Sequence, residues 1–217
     1  MASCSSGAIV GAGKLGVALS ISGTLINGGQ GNIDRQVVAN LNSTDAITVG
    51  MAPSSGIIRF FVQLDGIILN QVSGVGSPFA LSTLQYSFGG QDLVDNTGRS
   101  DVTPVQNINL PFVIDLAYSA NKLSLRTTLL ASVSCRTFQN GDACTSSVSA
   151  LNSAKVLSAI VLGAGGGEVS GATIFGDSGF DYRLGFQGNE VPEPAPAMLM
   201  GLGLCVLFGL VIQRHRY

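Results

Sequence analysis

The stretch IIRFFVQLDGIILNQV, Ile57–Val72, decides how the chain is read. Two runs rich in Ile, Phe, Val and Leu flank Asp65-Gly66. An Asp-Gly pair supplies the two positive-φ positions of a tight hairpin turn, so the reading predicts antiparallel strands at Ile57–Leu64 and Ile67–Val72. Working outward, similar runs occupy Lys14–Leu25, Gln36–Leu41, Ala80–Phe88, Gln106–Leu116, Lys122–Cys135, Cys144–Leu151 and Val156–Leu162. Gly, Asn, Asp and Ser break them at short intervals. Ser146–Leu162 also fits a short helix, but its Ser, Val and Asn content favours strand. GAGGGEVSG (Gly163–Gly171) reads as a loop before a last short strand, ATIF. Many short strands with few helical periods predict an all-β fold, an antiparallel, jelly-roll-like β-sandwich over residues 1–182. No internal repeat is found.

Composition narrows the function classes. Charged residues make up only 11% of the 217, against roughly 25% in an ordinary soluble domain, a balance more usual in secreted β-rich proteins. A net charge of -2 gives no electrostatic reason to expect nucleic acid as a partner. The sole histidine, His215, lies beyond the last apolar run, so the body has no imidazole. Ser-His-Asp and Cys-His nucleophiles and histidine-ligated metals are thereby excluded from it. An enzyme could still work with paired carboxylates or a Ser-Lys pair, but the commonest acid–base residue is missing, and the expectation is no enzyme, cofactor or metal site.

Four cysteines stand at 4, 135, 144 and 205. Cys135 and Cys144 flank RTFQNGDA, whose Asn-Gly-Asp is a turn signal between β-type runs. Two strands joined by that turn bring the sulfurs within bridging reach, and so short a loop would stabilise the fold by about 2–3 kcal/mol. Cys205 lies inside the terminal apolar run, where it serves as a small hydrophobe. Cys4, in MASC, has no apolar run before it. MASCSSG is no typical secretory signal, so either export uses another route or the true start lies upstream of the one given, the second being expected if the C-terminal reading below holds.

Two motifs invite chemistry and fail on context. GAGKLG, Gly11–Gly16, matches the dinucleotide-binding pattern in letters, which carries chemistry only between a buried strand and a helix. The following VALSISGTLINGG alternates with a strand period, Asp34 follows GGQGN instead of a second hydrophobic strand, and Lys14 is followed by Leu15 where a P-loop needs Ser or Thr. No nucleotide is expected. DLVDNTGRSD, Asp92–Asp101, places Asp92, Asp95 and Asp101 near one another in sequence. Its spacing matches no calcium loop and Arg99 opposes a cation, so it reads as a solvated surface loop.

The C-terminal end is organised differently. GDSGFDYRLGFQGNEVPEPAPA, with its glycines, acids and prolines, reads as an extended linker, assigned to 183–194. From Ala195 to Ile212 no residue is charged, and 18 helical residues span roughly 27 Å, close to the hydrocarbon thickness of a bilayer. Arg214, His215 and Arg216 follow, placing that end at the cytoplasmic face. A transmembrane helix with a basic tail is therefore predicted over 195–217. Small residues at Gly201, Gly203 and Gly209 suit close helix contacts.

Val191-Pro192-Glu193-Pro194, an apolar helix and the membrane-flanking Arg214 and Arg216 together resemble the PEP-CTERM protein-sorting signal. SGFDY, Ser178–Tyr182, is similar to a phrase common before the linker in such proteins. The basic cluster RHRY is shorter than in many of them and ends in tyrosine. The resemblance covers Val191–Tyr217 strictly and the β-rich body loosely. It implies export in a Gram-negative bacterium that makes exopolysaccharide, and an exosortase-type membrane enzyme acting near Pro192–Pro194. It further implies an inner-membrane-anchored precursor whose mature form is at the cell surface or outside the cell.

The favoured expectation is thus a structural or interaction protein of the extracellular matrix or biofilm, with exopolysaccharide as a further partner. A carbohydrate-binding module on the same β-sandwich scaffold is the alternative, although sugar sites usually stack rings on exposed aromatics, tryptophan is absent, and Tyr86, Tyr118 and Tyr182 are scattered. A hydrolase using Asp92 and Asp101 is a third possibility, without a spacing that singles out the pair.

Overall fold

The computed structural model describes residues 2–11, 13–25, 33–101 and 104–186. Among them ten strands form: β1 (Ala2–Gly11), β2 (Lys14–Thr24), β3 (Ile33–Gly50), β4 (Gly56–Ser73) and β5 (Phe79–Phe88). The series continues with β6 (Gln91–Arg99), β7 (Val105–Tyr118), β8 (Lys122–Thr137), β9 (Ala143–Leu162) and β10 (Thr173–Gly176). They build two five-stranded antiparallel sheets, β1-β2-β9-β4-β7 and β10-β3-β8-β5-β6. The fold is all-β, and the two sheets share one apolar core as a β-sandwich.

Period-two alternation explains the packing. In β4, Ile58, Phe60, Val62, Leu64 and Ile68 point inward and are fully buried. Leu15, Val17, Leu19 and Ile21 of β2 lie on the same inner face of the first sheet. Leu84 and Phe88 of β5 and Leu125, Leu129, Ala131 and Val133 of β8 supply the opposing layer. The outer faces carry polar pairs, among them Arg59 of β4, which reaches Asp115 of β7 through two bonds of 2.8 and 2.7 Å. That bond holds the Asp115 carboxyl below the usual range, yet the pair is solvent-exposed and adds little stability.

The hairpin expected at Asp65-Gly66 does not form. β4 runs straight through, and its pairing with β7 continues without a break, Asp65 opposite Asn109 and Gly66 opposite Ile108. The irregularity lies in β9, which places Ala150–Ala154 against only Leu15–Val17 of β2. That bulge explains Gly16: a Cβ there would sit 1.8 Å from the Leu151 carbonyl oxygen. The GAGKLG stretch is therefore the turn of the β1–β2 hairpin, with Gly13 at φ 67°, followed by a glycine that lets β2 pass the bulge. It leads into a strand, where a dinucleotide site needs a helix.

Other boundaries also differ. Cys144–Leu151 and Val156–Leu162 are one long strand, β9, which also replaces the alternative helix. The supposed loop Asp92–Asp101 is mostly strand β6, an edge strand with few buried residues. β1 was hidden by its composition: ASCSSGAIVG has no apolar face because nearly all of it is exposed.

Candidate functional site

The expected sorting residues Val191, Pro192, Glu193 and Pro194, the apolar span 195–212 and the basic Arg214 and Arg216 lie outside the described residues. No helix among the described residues is long and apolar enough to cross a membrane. What the structure defines is the place where the folded body ends and the chain leaves toward that segment.

That exit is tightly built. β10 pairs with the end of β3, and the chain turns back at Gly176–Gly179, so Phe175 faces Asp181. SGFDY is the returning arm of this small hairpin, and it docks on Asp45 of β3. The Ser178 hydroxyl donates to Asp45 Oδ2 at 2.7 Å and its N–H to Oδ1 at 3.3 Å. The Tyr182 phenol donates to the same Oδ2 at 2.9 Å. Burial first, and then the Asp45 carboxylate, push the Tyr182 phenol pKa upward, so it remains a neutral donor.

Aromatic packing reinforces the latch. Tyr182 stands edge-on to Phe180 at 4.8 Å and to Phe60 at 6.0 Å, and Phe60 meets Phe88 at 5.1 Å. The row links β4, β5 and the exit segment. Farther on, the Phe186 N–H donates to the Val156 carbonyl at 2.8 Å, next to Leu157, the extra β9 residue in the pairing with β4. Lys14 Nζ lies 4.6 Å from the Phe186 ring centroid. The first compact unit accordingly ends at Phe186, and the stretch read as linker begins as part of the body.

Cys135 and Cys144 form the expected disulfide, with Cα atoms 5.7 Å apart. Its setting differs from expectation. β8 and β9 are not hairpin partners: they belong to opposite sheets, so the bridge ties the two layers through the core. Within its loop Asp142 is fully buried. Its carboxylate accepts from the N–H groups of Gly76 at 2.9 Å, Gln139 at 2.9 Å and Phe138 at 3.1 Å. Gly74, at φ 124°, passes so close that a Cβ would meet Asp142 Oδ1 at 2.3 Å.

Burial alone would raise the Asp142 pKa, but the backbone donors outweigh it and hold the carboxyl below its usual value. A lowered folded pKa means that this group stabilises the fold above about pH 4, its unfolded range, and that the contribution disappears as pH falls through the folded value. Asp142→Asn is expected to melt about 5 °C below wild type near pH 6, with the gap closing as the pH falls below about 4 and the carboxyl takes up its proton. Thermal melts across that range check this.

Asp92 and Asp101, the acids considered for a hydrolase, are not brought together. Asp92 and Asp95 border a surface depression of about 240 Å³ with Gln85, Ser87 and Thr128. Asp101 lies apart and binds Arg99 at 3.0–3.1 Å. Extended β6 separates Asp92 from the Arg99 end by more than about 20 Å, well beyond the reach of paired carboxylates. No group of three or more His, Cys, Asp or Glu suited to a metal occurs among the described residues. A larger open cleft, about 510 Å³, lies beside Asn70, Ser73, Ser100 and Thr145. Asn70 is fully buried in its wall, where its amide ties Ser82 of β5 to Ser146 of β9 at 2.8 Å each.

Tyr86, Tyr118 and Tyr182 are at most 3% exposed. Their rings belong to the core and offer a sugar no stacking face. No protein-family model matches the chain, and no curated protein is significantly similar to it.

Proposed function

We propose that this protein is a non-enzymatic, exported surface or extracellular-matrix protein, delivered by a cleavable C-terminal membrane anchor of the PEP-CTERM type. The observation that carries the reading is the ordered set in Val191–Tyr217: Pro-Glu-Pro, an uncharged span long enough for a bilayer, and a basic end. The fold supports it in that the first compact unit ends at Phe186, before the Val191–Pro194 motif in the chain. An exosortase-type enzyme would then act on a short segment that follows a finished domain in sequence. Pro192 and Pro194 keep that segment from continuing as helix, so it can be bound extended.

The finer jelly-roll reading belongs to this proposal. It rests on the order β2-β9-β4-β7 opposite β3-β8-β5-β6, in which successive strands mostly alternate between sheets. Such a sandwich, stapled between its layers, suits an oxidising location and a structural role.

Replacing Pro192-Glu193-Pro194 by three alanines in the native host tests the sorting claim. Fractionation should show released protein falling at least about tenfold, with uncleaved chain accumulating in the inner membrane. Equal release at unchanged mass from both forms would refute it.

A further inference from the structure

An edge strand offers unpaired N–H and C=O groups to any other chain, and proteins usually obstruct such edges. Three of the outer strands here are obstructed. β7 has Pro111, which lacks a donor, near its middle and Asp115 farther along. β6 pairs irregularly at Tyr86/Ser87 and carries Asp92, Asp95 and Arg99. β10 is four residues long, and the part of β3 it leaves uncovered includes Asp34 and Arg35.

β1 has none of these devices. It is ten residues long, has no charge and no proline, and keeps unbroken register with β2 from Ala2–Gly23 to Gly11–Lys14. β2 is its sole strand partner among the described residues. Ser3 bonds Ser22 at 2.8 Å and Ser5 bonds Ser20 at 2.9 Å, holding this largely exposed strand extended.

We propose that the free edge of β1 is a self-association surface, to which a second copy of this chain adds its own β1 antiparallel. Charge selects this occupant. A two-fold axis sets each edge against its own copy, so charged residues near the axis meet their own sign. β1 is the long edge that avoids this, and its Ala, Ser, Gly and Cys side chains are small. With the axis perpendicular to the sheet, opposed residues must share a face. Two registers of equal length satisfy this, one centred on Ser6 and one on Gly7; the first sets Ser6 against its counterpart, Cys4 against Ala8 and Ala2 against Val10. The two sandwiches then share one continuous sheet. For a matrix protein this is a means of assembly, but the inference does not depend on the sorting reading.

The full-length chain in mild detergent provides the test. Wild type is expected to sediment as a dimer at about 100 µM, and Ser6→Lys to raise the dimer dissociation constant at least about tenfold by opposing two ammonium groups. In a Cys4→Ser, Cys205→Ser background, Ser6→Cys should cross-link between copies under a mild oxidant, and Ser20→Cys on β2 should not. A monomeric wild type overturns the proposal. So does a dimer that Ser6→Lys leaves intact, as association through the apolar tail would. If Ser6→Lys fails to fold, the Ser6→Cys cross-link decides alone.

Discussion

Phe60→Ala lowers the unfolding free energy by about 3–5 kcal/mol, the largest effect expected of a single core truncation here. Phe60 is fully buried at the centre of the sandwich and meets Phe88 from the opposite sheet and Tyr182 from the exit segment. Its removal costs the transfer free energy of the ring and leaves a cavity that straight strands on both sides collapse into poorly. Urea unfolding should show a lower midpoint with an unchanged slope, and hydrogen exchange should show Tyr182 opening together with β4. A loss below about 1 kcal/mol would mean that the core does not pack around this ring.

Asp45→Ala is expected to destabilise the protein by about 2–4 kcal/mol, concentrated in the exit segment. It removes the acceptor of the Ser178 hydroxyl, the Ser178 N–H and the Tyr182 phenol together. The buried phenol is then left without its partner, which costs more than the bond itself contributes. Hydrogen exchange should rise about tenfold or more at Asp177–Phe186 while β8 amides change less. Asp45→Asn keeps an acceptor oxygen and should lose roughly half as much. Equal exchange in wild type and Asp45→Ala would remove the latch from the account.

Particular residues show what could be read in advance. The alternation Ile58, Phe60, Val62, Leu64 gave a strand because one face had to be apolar. Cys135 and Cys144 gave a bridge because a short turn between two β-type runs leaves the sulfurs few other places. β1 and β6 were invisible for the opposite reason: exposed edge strands need no apolar face, so their sequences look like loops. The Asp45 latch was equally hidden, since its partners stand more than 130 positions away.

Asp65-Gly66 marks the limit most clearly. A continuous strand buries Ile68, in phase with Leu64, whereas a two-residue hairpin turns Ile67 and Leu69 inward. Three consecutive apolar residues, Ile67–Leu69, satisfy either phase, so local pattern could not choose. The tertiary structure chose through unbroken pairing with β7 and buried Ile68. The amino-acid sequence by itself determined the β class, the cysteine bridge and the tripartite segment after Val191, because these rest on local period, spacing and polarity. Which strands are neighbours, the sheets that the bridge joins and the anchoring of SGFDY on Asp45 were decided only in three dimensions. Each depends on groups far apart in the chain that meet when the core closes.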